Sequence, residues 1–241
     1  FVGSGPVYDL KAESIGVTSV TLKWLNGSAS DTYRIEVVNG TSGTPVKNVT
    51  FNDTKAEITE LMPGTMYIFT VFAVAADNGT EGDGRAIDLY TRPSQVLDLK
   101  AESVGVTSVT LKWVANDSAS DTYTYRIEVV NDTFVQNLTF SDTKAKITEL
   151  MPGTLYNFTV SAVAADNETE GGRVPIDLYT KPSQVHDLKA ESIGVTSVTL
   201  KWLVNGSASD TYRIEVVNGT SGTPVKNVTF NDTKAEITEL M

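Results

Sequence analysis

Hydrophobic and polar residues alternate along short segments of this chain. Three segments show the pattern clearly, with an apolar residue at every second position: Val20–Trp24, Tyr33–Val37 and Tyr67–Val71. A period of two is typical of half-buried strands, because successive side chains point to opposite faces of a sheet. Gly, Asn, Ser and Pro separate the segments, and no helical period is present. The pattern predicts strands at residues 8–14, 19–25, 32–38, 45–51, 55–60, 66–75 and 86–91.

The same pattern returns with a constant spacing. Trp24, Trp113 and Trp202 are each 89 residues apart, and the sequence around them is nearly identical. A period of this length is too long for a solenoid unit and fits whole domains in tandem. Seven short strands in about ninety residues indicate a two-sheet sandwich. We therefore predict an all-β chain of tandem seven-stranded two-sheet sandwiches, with domains at residues 1–92, 93–181 and 182–241, the last lacking its final two strands.

One motif before the sixth predicted strand identifies a family resemblance. The motif L-x-P-G-T-x-Y-x-F-x-V begins at Leu61 and returns at Leu150, and a Trp occupies the second strand of each repeat. These features resemble the fibronectin type III domain. The resemblance implies that Tyr67 and Tyr156 form a tyrosine corner, in which the phenol bonds to nearby backbone. Cadherin-like sandwiches are the alternative, but the acidic calcium-binding motifs of that family are absent.

A narrower resemblance concerns the segments ADNGTEG, AIDLYT and QVLDLKAESVGVTSVTLKW. They are similar to the repeats of receptor-type tyrosine phosphatases, which implies an extracellular array joined to an intracellular phosphatase domain. The catalytic loop of those enzymes needs a nucleophilic Cys, and this chain has no Cys. We predict no catalytic residue, no cofactor and no metal in this chain. Any phosphatase activity would belong to another part of a longer protein.

Charge and composition narrow the choice of partners. The net charge is −11, and the 19 basic residues are spread singly along the sequence. We therefore predict no nucleic-acid partner and no direct contact with a membrane. No apolar run approaches the ~18 residues of a membrane-spanning helix. The chain begins with neither Met nor a leader, which favours a segment of a longer protein.

The asparagines carry the strongest functional signal. All fourteen are followed two residues later by Ser or Thr, with no Pro between, at Asn26, Asn39, Asn48, Asn52, Asn78, Asn116, Asn131, Asn137, Asn157, Asn167, Asn205, Asn218, Asn227 and Asn231. Turn preference explains the Asn-Gly pairs, but we do not expect it to explain the hydroxyl residue two places later. The triplet is the acceptor for N-linked sugar in secreted proteins. We predict fourteen acceptor sites, although the absence of Cys alone favours the cytosol.

Two further residues distinguish the first repeat from the second. Ile68 and Phe72 lie at outward positions of the predicted sixth strand, where the second repeat has Asn157 and Ser161. One interpretation is a contact surface for another protein. The alternative is that the neighbouring Arg34 and Glu36 side chains cover them. The single histidine, His186, lies at a predicted strand end and is expected to be solvated.

These observations favour an extracellular, N-glycosylated spacer with adhesion or ligand-binding surfaces, outside the plasma membrane on a single-pass receptor. The expected partners are an extracellular protein ligand or a second copy of the chain, together with N-linked glycans. The alternative is a structural or matrix protein built from the same repeats without a signalling domain.

Overall fold

The structure is a computed structural model that describes residues 6–26, 32–77, 79–205 and 211–241. The regular secondary structure of the described residues consists of antiparallel strands, nineteen in all, apart from one short 3₁₀ turn. The strands of the first repeat are β1 (Tyr8–Ile15), β2 (Val20–Leu25), β3 (Thr32–Asn39), β4 (Pro45–Phe51), β5 (Lys55–Ile58), β6 (Met66–Val74) and β7 (Arg85–Tyr90). They agree with the predicted strands to within two residues, which confirms the all-β prediction.

The second and third repeats follow the same order. The second contains β8 (Leu97–Val104), β9 (Val109–Val114), β10 (Thr124–Asn131), β11 (Phe134–Phe140), β12 (Lys144–Ile147), β13 (Leu155–Val163) and β14 (Val174–Tyr179). The third contains β15 (His186–Ile193), β16 (Val198–Leu203), β17 (Tyr212–Val217), β18 (Pro224–Phe230) and β19 (Lys234–Ile237). A short 3₁₀ turn, Ser120–Thr122, is the only helical element in the described residues and was not predicted.

Each complete repeat pairs a three-stranded sheet with a four-stranded sheet. The strand orders are β1-β2-β5 and β4-β3-β6-β7 in the first repeat, and β8-β9-β12 and β11-β10-β13-β14 in the second. Side chains from the inner faces of both sheets form one core per repeat. The Trp24 and Tyr33 rings meet edge to face with centroids 5.2 Å apart, and Phe69 and Phe158 are wholly buried at the centres of the two cores.

The tyrosine corner expected from the family resemblance is present in both complete repeats. The Met62 N–H donates to Tyr67 Oη at 2.8 Å, and the Met151 N–H donates to Tyr156 Oη at the same distance. A buried threonine, which sequence reasoning did not single out, supports each corner. Thr91 Oγ1 donates to the Met62 carbonyl at 2.5 Å and accepts from the Thr65 N–H at 3.0 Å. The corner therefore fixes the turn that leads into the central strand β6.

The first two repeats meet through a loop that is longer in the second repeat. This loop, residues 115–123, joins β9 to β10 and carries Tyr123, which is buried against Gly64 of the first repeat. A Cβ on Gly64 would lie 2.1 Å from Tyr123 Oη, so only glycine permits this contact. Tyr123 Oη donates to Asp117 Oδ2 at 2.8 Å, and the same oxygen accepts the Ser94 N–H at 2.9 Å. Burial, together with the bond to Asp117, raises the pKa of Tyr123.

A second contact joins the first two repeats. Arg92 Nε donates to the Glu170 carbonyl at 2.8 Å. The linker between the repeats is therefore tied to two loops of the second repeat, and we refer to these contacts of Arg92, Ser94, Asp117 and Tyr123 as the junction.

The third repeat is less well buried than the first two. Strand β17 pairs with β18 on one side and with no other strand among the described residues. Tyr212, Ile214 and Val216 are consequently only half-buried, whereas their counterparts in the first repeat, Tyr33, Ile35 and Val37, are at most 2% exposed. Three hydrophobic side chains, Trp202, Ala235 and Ile237, form the whole of its fully buried cluster. The loss of burial weakens the main favourable term in folding.

Substituting Asp117 tests the junction. In an Asp117→Ala variant the buried Tyr123 hydroxyl and the Ser94 N–H lose their acceptor, which we expect to cost about 1–3 kcal/mol of unfolding free energy. Urea denaturation of the whole chain measures the change. Asp121→Ala, an exposed acidic residue of the same loop, serves as the matched control and should have little effect. Equal stability of both variants would show that the junction adds nothing.

Amide exchange tests the weakness of the third repeat. We expect amides of β17 and β18 to exchange much faster than those of the corresponding β3 and β4 within the same chain, since exchange follows local stability. Exchange measured by mass spectrometry on proteolytic fragments distinguishes the repeats. Equal protection of both strand pairs in a monomer would contradict this expectation.

Candidate functional site

The predicted acceptor asparagines lie at the surface. Ten of the thirteen that fall in described residues are exposed, three are half-buried and none is buried. The half-buried ones are Asn39, Asn131 and Asn157. Asn78 lies outside the described residues. Surface position is required for a glycan acceptor but does not distinguish one from a turn residue, so the contacts of each asparagine decide between the two.

Turn chemistry accounts for one group. In each repeat the asparagine at the end of the third strand, or directly after it, accepts the backbone N–H two residues later through its Oδ1 atom, at 2.9–3.0 Å. The pairs are Asn39 to Thr41, Asn131 to Thr133 and Asn218 to Thr220. This side-chain turn is a common role of Asn. The asparagine itself is therefore explained structurally at these three positions.

A second group lies in the turn after the sixth strand. Thr80 Oγ1 donates to Asp77 Oδ2 at 2.6 Å, and Thr169 bonds to Asp166 in the same way. The hydroxyl bond and two backbone N–H bonds lower the pKa of Asp77 to about 2. Asn167 adopts a left-handed backbone with φ 59°, which Asn tolerates better than most residues. Our expectation that turn chemistry does not explain the hydroxyl residue is wrong here, because this threonine anchors the turn.

The third group has no such explanation. Asn48, Asn137 and Asn227 lie in the middle of β4, β11 and β18 and are exposed. In each case the threonine two residues later is exposed on the same face, since residues i and i+2 of a strand share a face. The side chains of Asn137 and Asn227 make no hydrogen bond to another described residue, and Asn48 Oδ1 has only a 3.4 Å contact from Arg34. Asn is disfavoured in strands, so its presence here is unexplained by folding.

Asn157 lies in the interior of a central strand, β13. It lies on the outward face of β13 as predicted, half-buried, and its Nδ2 donates to Asp177 Oδ1 across the β13–β14 pair at 2.6 Å. An N-linked sugar replaces one of the two amide hydrogens of Nδ2, so the remaining hydrogen can keep this bond.

The predicted contact residues Ile68 and Phe72 both lie on the outward face of β6 and are half-buried. The Arg34 guanidinium stacks 4.3 Å from the centre of the Phe72 ring. Glu81 holds Arg34 in place with two bonds of 2.6 and 2.8 Å and raises the pKa of the guanidinium. Phe72 therefore presents an arginine-capped surface rather than a bare ring. We call Ile68, Phe72 and Arg34 the β6 patch.

The β6 patch shares its sheet face with a predicted glycan acceptor. Asn48 pairs with Glu36, and Glu36 in turn pairs with Thr70, which lies between Ile68 and Phe72 on the same face. Neighbouring strands are ~4.8 Å apart, so Asn48 is roughly 10 Å from Thr70. Its Oδ1 atom lies 3.4 Å from Arg34 Nη1, which belongs to the patch. A sugar on Asn48 would consequently border any partner that binds there.

The described residues offer little other chemistry. His186 is exposed at the start of β15, as expected. No group of three or more His, Asp or Glu side chains in the described ranges is placed to bind a metal ion. The described part of the chain also contains no helix long and apolar enough to cross a bilayer.

Comparison with known proteins identifies the family. The model of the fibronectin type III domain matches residues 5–85 and 93–175. This chain belongs to the fibronectin type III family, which confirms the resemblance drawn from the Leu61 and Leu150 motifs.

Several of the similar proteins are receptor-type phosphatases. The receptor-type tyrosine-protein phosphatase eta of Gallus gallus is 61% identical over 240 residues, which cover 98% of this chain and 17% of that protein. Its Homo sapiens counterpart is 34% identical over 74% of this chain and 13% of its own length. The chain therefore spans less than a fifth of these two relatives. A solved two-domain fibronectin type III segment of chicken tenascin superposes with a TM-score of 0.50 at 23% identity, over 72% of this chain and 99% of that one, and supports the fold.

Proposed function

We propose that this chain is an N-glycosylated extracellular segment of a single-pass cell-surface receptor of the receptor-type tyrosine phosphatase kind. In it the repeats act as a spacer and present surfaces for adhesion or ligand binding. The fourteen Asn-x-Ser/Thr triplets are the acceptors, the repeats are separate domains divided near residues 92 and 181, and the catalytic domain lies elsewhere in the longer protein.

One observation carries the proposal. The strand asparagines Asn48, Asn137 and Asn227 face solvent with no structural partner that would require an Asn, yet each keeps the complete acceptor triplet. A strand position favours β-branched and aromatic residues, so an Asn there needs another reason. Sugar attachment supplies one, since it requires an exposed Asn with Ser or Thr two places later. The similarity to receptor phosphatases over 98% of the chain supports the same setting.

An alternative function is a matrix or adhesion protein with no signalling domain. Tenascin-R of Homo sapiens is 27% identical over 64% of this chain, so similar repeats also occur in a protein that is not named as a phosphatase. The sequence that follows in the full-length protein separates the two proposals. A spanning helix and a Cys-containing phosphatase domain support the receptor, whereas further repeats without them support the matrix protein.

Secretory expression tests the glycan proposal. We expect the chain to migrate well above its 26.0 kDa polypeptide mass and to return to it after N-glycosidase treatment. Asn137→Gln should remove one glycan and leave the melting temperature of the deglycosylated protein unchanged, since Asn137 makes no side-chain bond. Gln136→Asn, which adds an Asn without a triplet, is the matched control and should leave the mass of the sugar unchanged. A secreted chain with no mass shift would refute the proposal.

Binding assays test the β6 patch as a protein-contact surface. We propose that Ile68 and Phe72 contribute to self-association or to binding of an extracellular protein ligand. Replacing both with their second-repeat counterparts, Ile68→Asn and Phe72→Ser, should weaken that association by more than ~1 kcal/mol, because large side chains at an interface centre dominate its energy. Since Ile68→Asn also creates an acceptor triplet with Thr70, all proteins are compared after removal of N-glycans. Val46→Thr, at an exposed apolar position near the edge of the same sheet, is the control. Unchanged association of the folded double variant would leave the patch with a packing role only.

A further inference from the structure

Strand pairing brings together lysines that are far apart in the sequence. On the outward face of the second repeat's three-stranded sheet, Lys100 of β8 pairs with Lys112 of β9, and Lys112 pairs with Lys144 of β12. The three ammonium groups therefore form a row across the sheet. Lys146 lies two residues after Lys144 on β12, pairs with Thr110 and is therefore on the same face. We call these four residues the lysine face.

The other two repeats have the row but a different fourth residue. Lys11, Lys23 and Lys55 form the corresponding row in the first repeat, and Lys189, Lys201 and Lys234 form it in the third. In place of Lys146 they have Glu57 and Glu236. The strands β8, β9 and β12 consequently carry four lysines and two acidic residues, whereas the equivalent strands of each other repeat carry three of each.

Among the lysines of the second row, only Lys144 forms a salt bridge of 4.0 Å or less, although the charge of Lys112 also acts on the same carboxylate, Glu102. Glu102 lies 2.6 Å from the Lys144 ammonium, and this pair lowers the pKa of Glu102. Lys100, Lys112 and Lys146 make no salt bridge of 4.0 Å or less to another described residue. The lysine face therefore has a local excess of positive charge on a protein whose net charge is −11.

Folding does not require this arrangement. Like charges directly opposite each other on neighbouring strands are unfavourable. Lysines on edge strands hinder aggregation, which accounts for Lys144 and Lys146 on β12. That reason does not apply to Lys112, because β9 is the central strand of its sheet.

The sheet face is also free of acceptor asparagines. None of the fourteen triplets begins at an outward position of β1, β2 or β5 or of their counterparts in the other repeats. The acceptors lie instead on strands of the other sheet and in the loops. If they carry sugar as proposed, the three-stranded sheet is the face that a large ligand can approach.

We propose that the lysine face binds a linear sulfated polysaccharide, an inference that rests on the proposed extracellular setting. Lys donates charge-assisted hydrogen bonds to anionic oxygens, and a row of ammonium groups matches a chain of repeated sulfates. A thin polymer fits a face that is three strands, or roughly 10 Å, wide. A flat bilayer fits it less well, because the glycans on surrounding loops, such as that at Asn116, would hold the bilayer away.

A charge swap between repeats provides the test. Lys146→Glu gives the second repeat the residue found in the first and third, so the fold tolerates the change. Glu57→Lys gives the first repeat the second repeat's charge pattern. Arg85→Glu changes the net charge as much as Lys146→Glu but at an exposed position of β7, on the other sheet. The probe is immobilised heparin, with the secreted, glycosylated whole chain as analyte.

We expect the unmodified chain to bind heparin with strong salt dependence. Lys146→Glu removes one basic contact and adds a repelling carboxylate, so it should weaken binding about tenfold and make it less dependent on salt. Glu57→Lys should strengthen it by a similar factor through a second site, and Arg85→Glu should change it less than twofold. Heparin from which the sulfates have been removed should not bind.

Three results would overturn the inference. They are no binding of the unmodified chain to heparin, equal losses in Lys146→Glu and Arg85→Glu, or binding to vesicles containing phosphatidylserine in preference to heparin. The mass shift from the sugars is measured on the same secreted protein. A chain that carries glycans but does not bind heparin would therefore contradict only this inference, and a chain without glycans would contradict the extracellular proposal.

Discussion

The complete repeats depend on the burial of one row of side chains between two sheets. In the first repeat this row runs along β6 as Tyr67, Phe69 and Val71, all at most 2% exposed. It packs against the inner face of β1, β2 and β5, so neither sheet has a closed core without the other. The third repeat shows the dependence directly: Tyr212 and Ile214 have no sixth strand beside them among the described residues, and they are only half-buried.

Because the inward positions are committed to the core, variation there is limited to exchanges between apolar residues, such as Val49 for Leu138, and changes of chemical character are found on the outward positions and in the loops. Ile68 and Phe72 become Asn157 and Ser161, and Glu57 becomes Lys146, without any change of fold. Each of these exchanges changes what the surface can contact: an arginine-capped apolar patch becomes a polar face, and a balanced face becomes a basic one. The core thus maintains a scaffold, and the surface chemistry distinguishes one repeat from the next.

The sequence was sufficient to predict whatever depends on local pattern. Alternation located every strand of the first repeat, and the motif at Leu61 located the tyrosine corner. The junction was harder to predict, although its signal is visible: twelve residues separate Trp113 from Tyr125, against nine between Trp24 and Tyr33. The partner of the extra Tyr123 is Gly64 in another repeat, and no local pattern encodes that contact.

The lysine face could not be predicted from local sequence pattern either. Its members are spread singly along the chain, which led to the expectation of no nucleic-acid partner and no direct contact with a membrane. Only the strand register, in which Lys112 lies between Lys100 and Lys144, brings them into one row. The role of Thr80 was likewise missed, because its bond to Asp77 depends on the three-dimensional shape of the turn.

The most direct test of the extracellular account is glycan occupancy at each asparagine of the secreted chain. Enzymatic release of N-glycans converts each occupied Asn to Asp, and mass spectrometry of peptides then detects this conversion at each position. We predict that Asn48, Asn137 and Asn227, whose side chains form no turn contact that would explain an Asn there, are occupied. Unmodified strand asparagines in a chain that has passed through the secretory pathway would contradict the account.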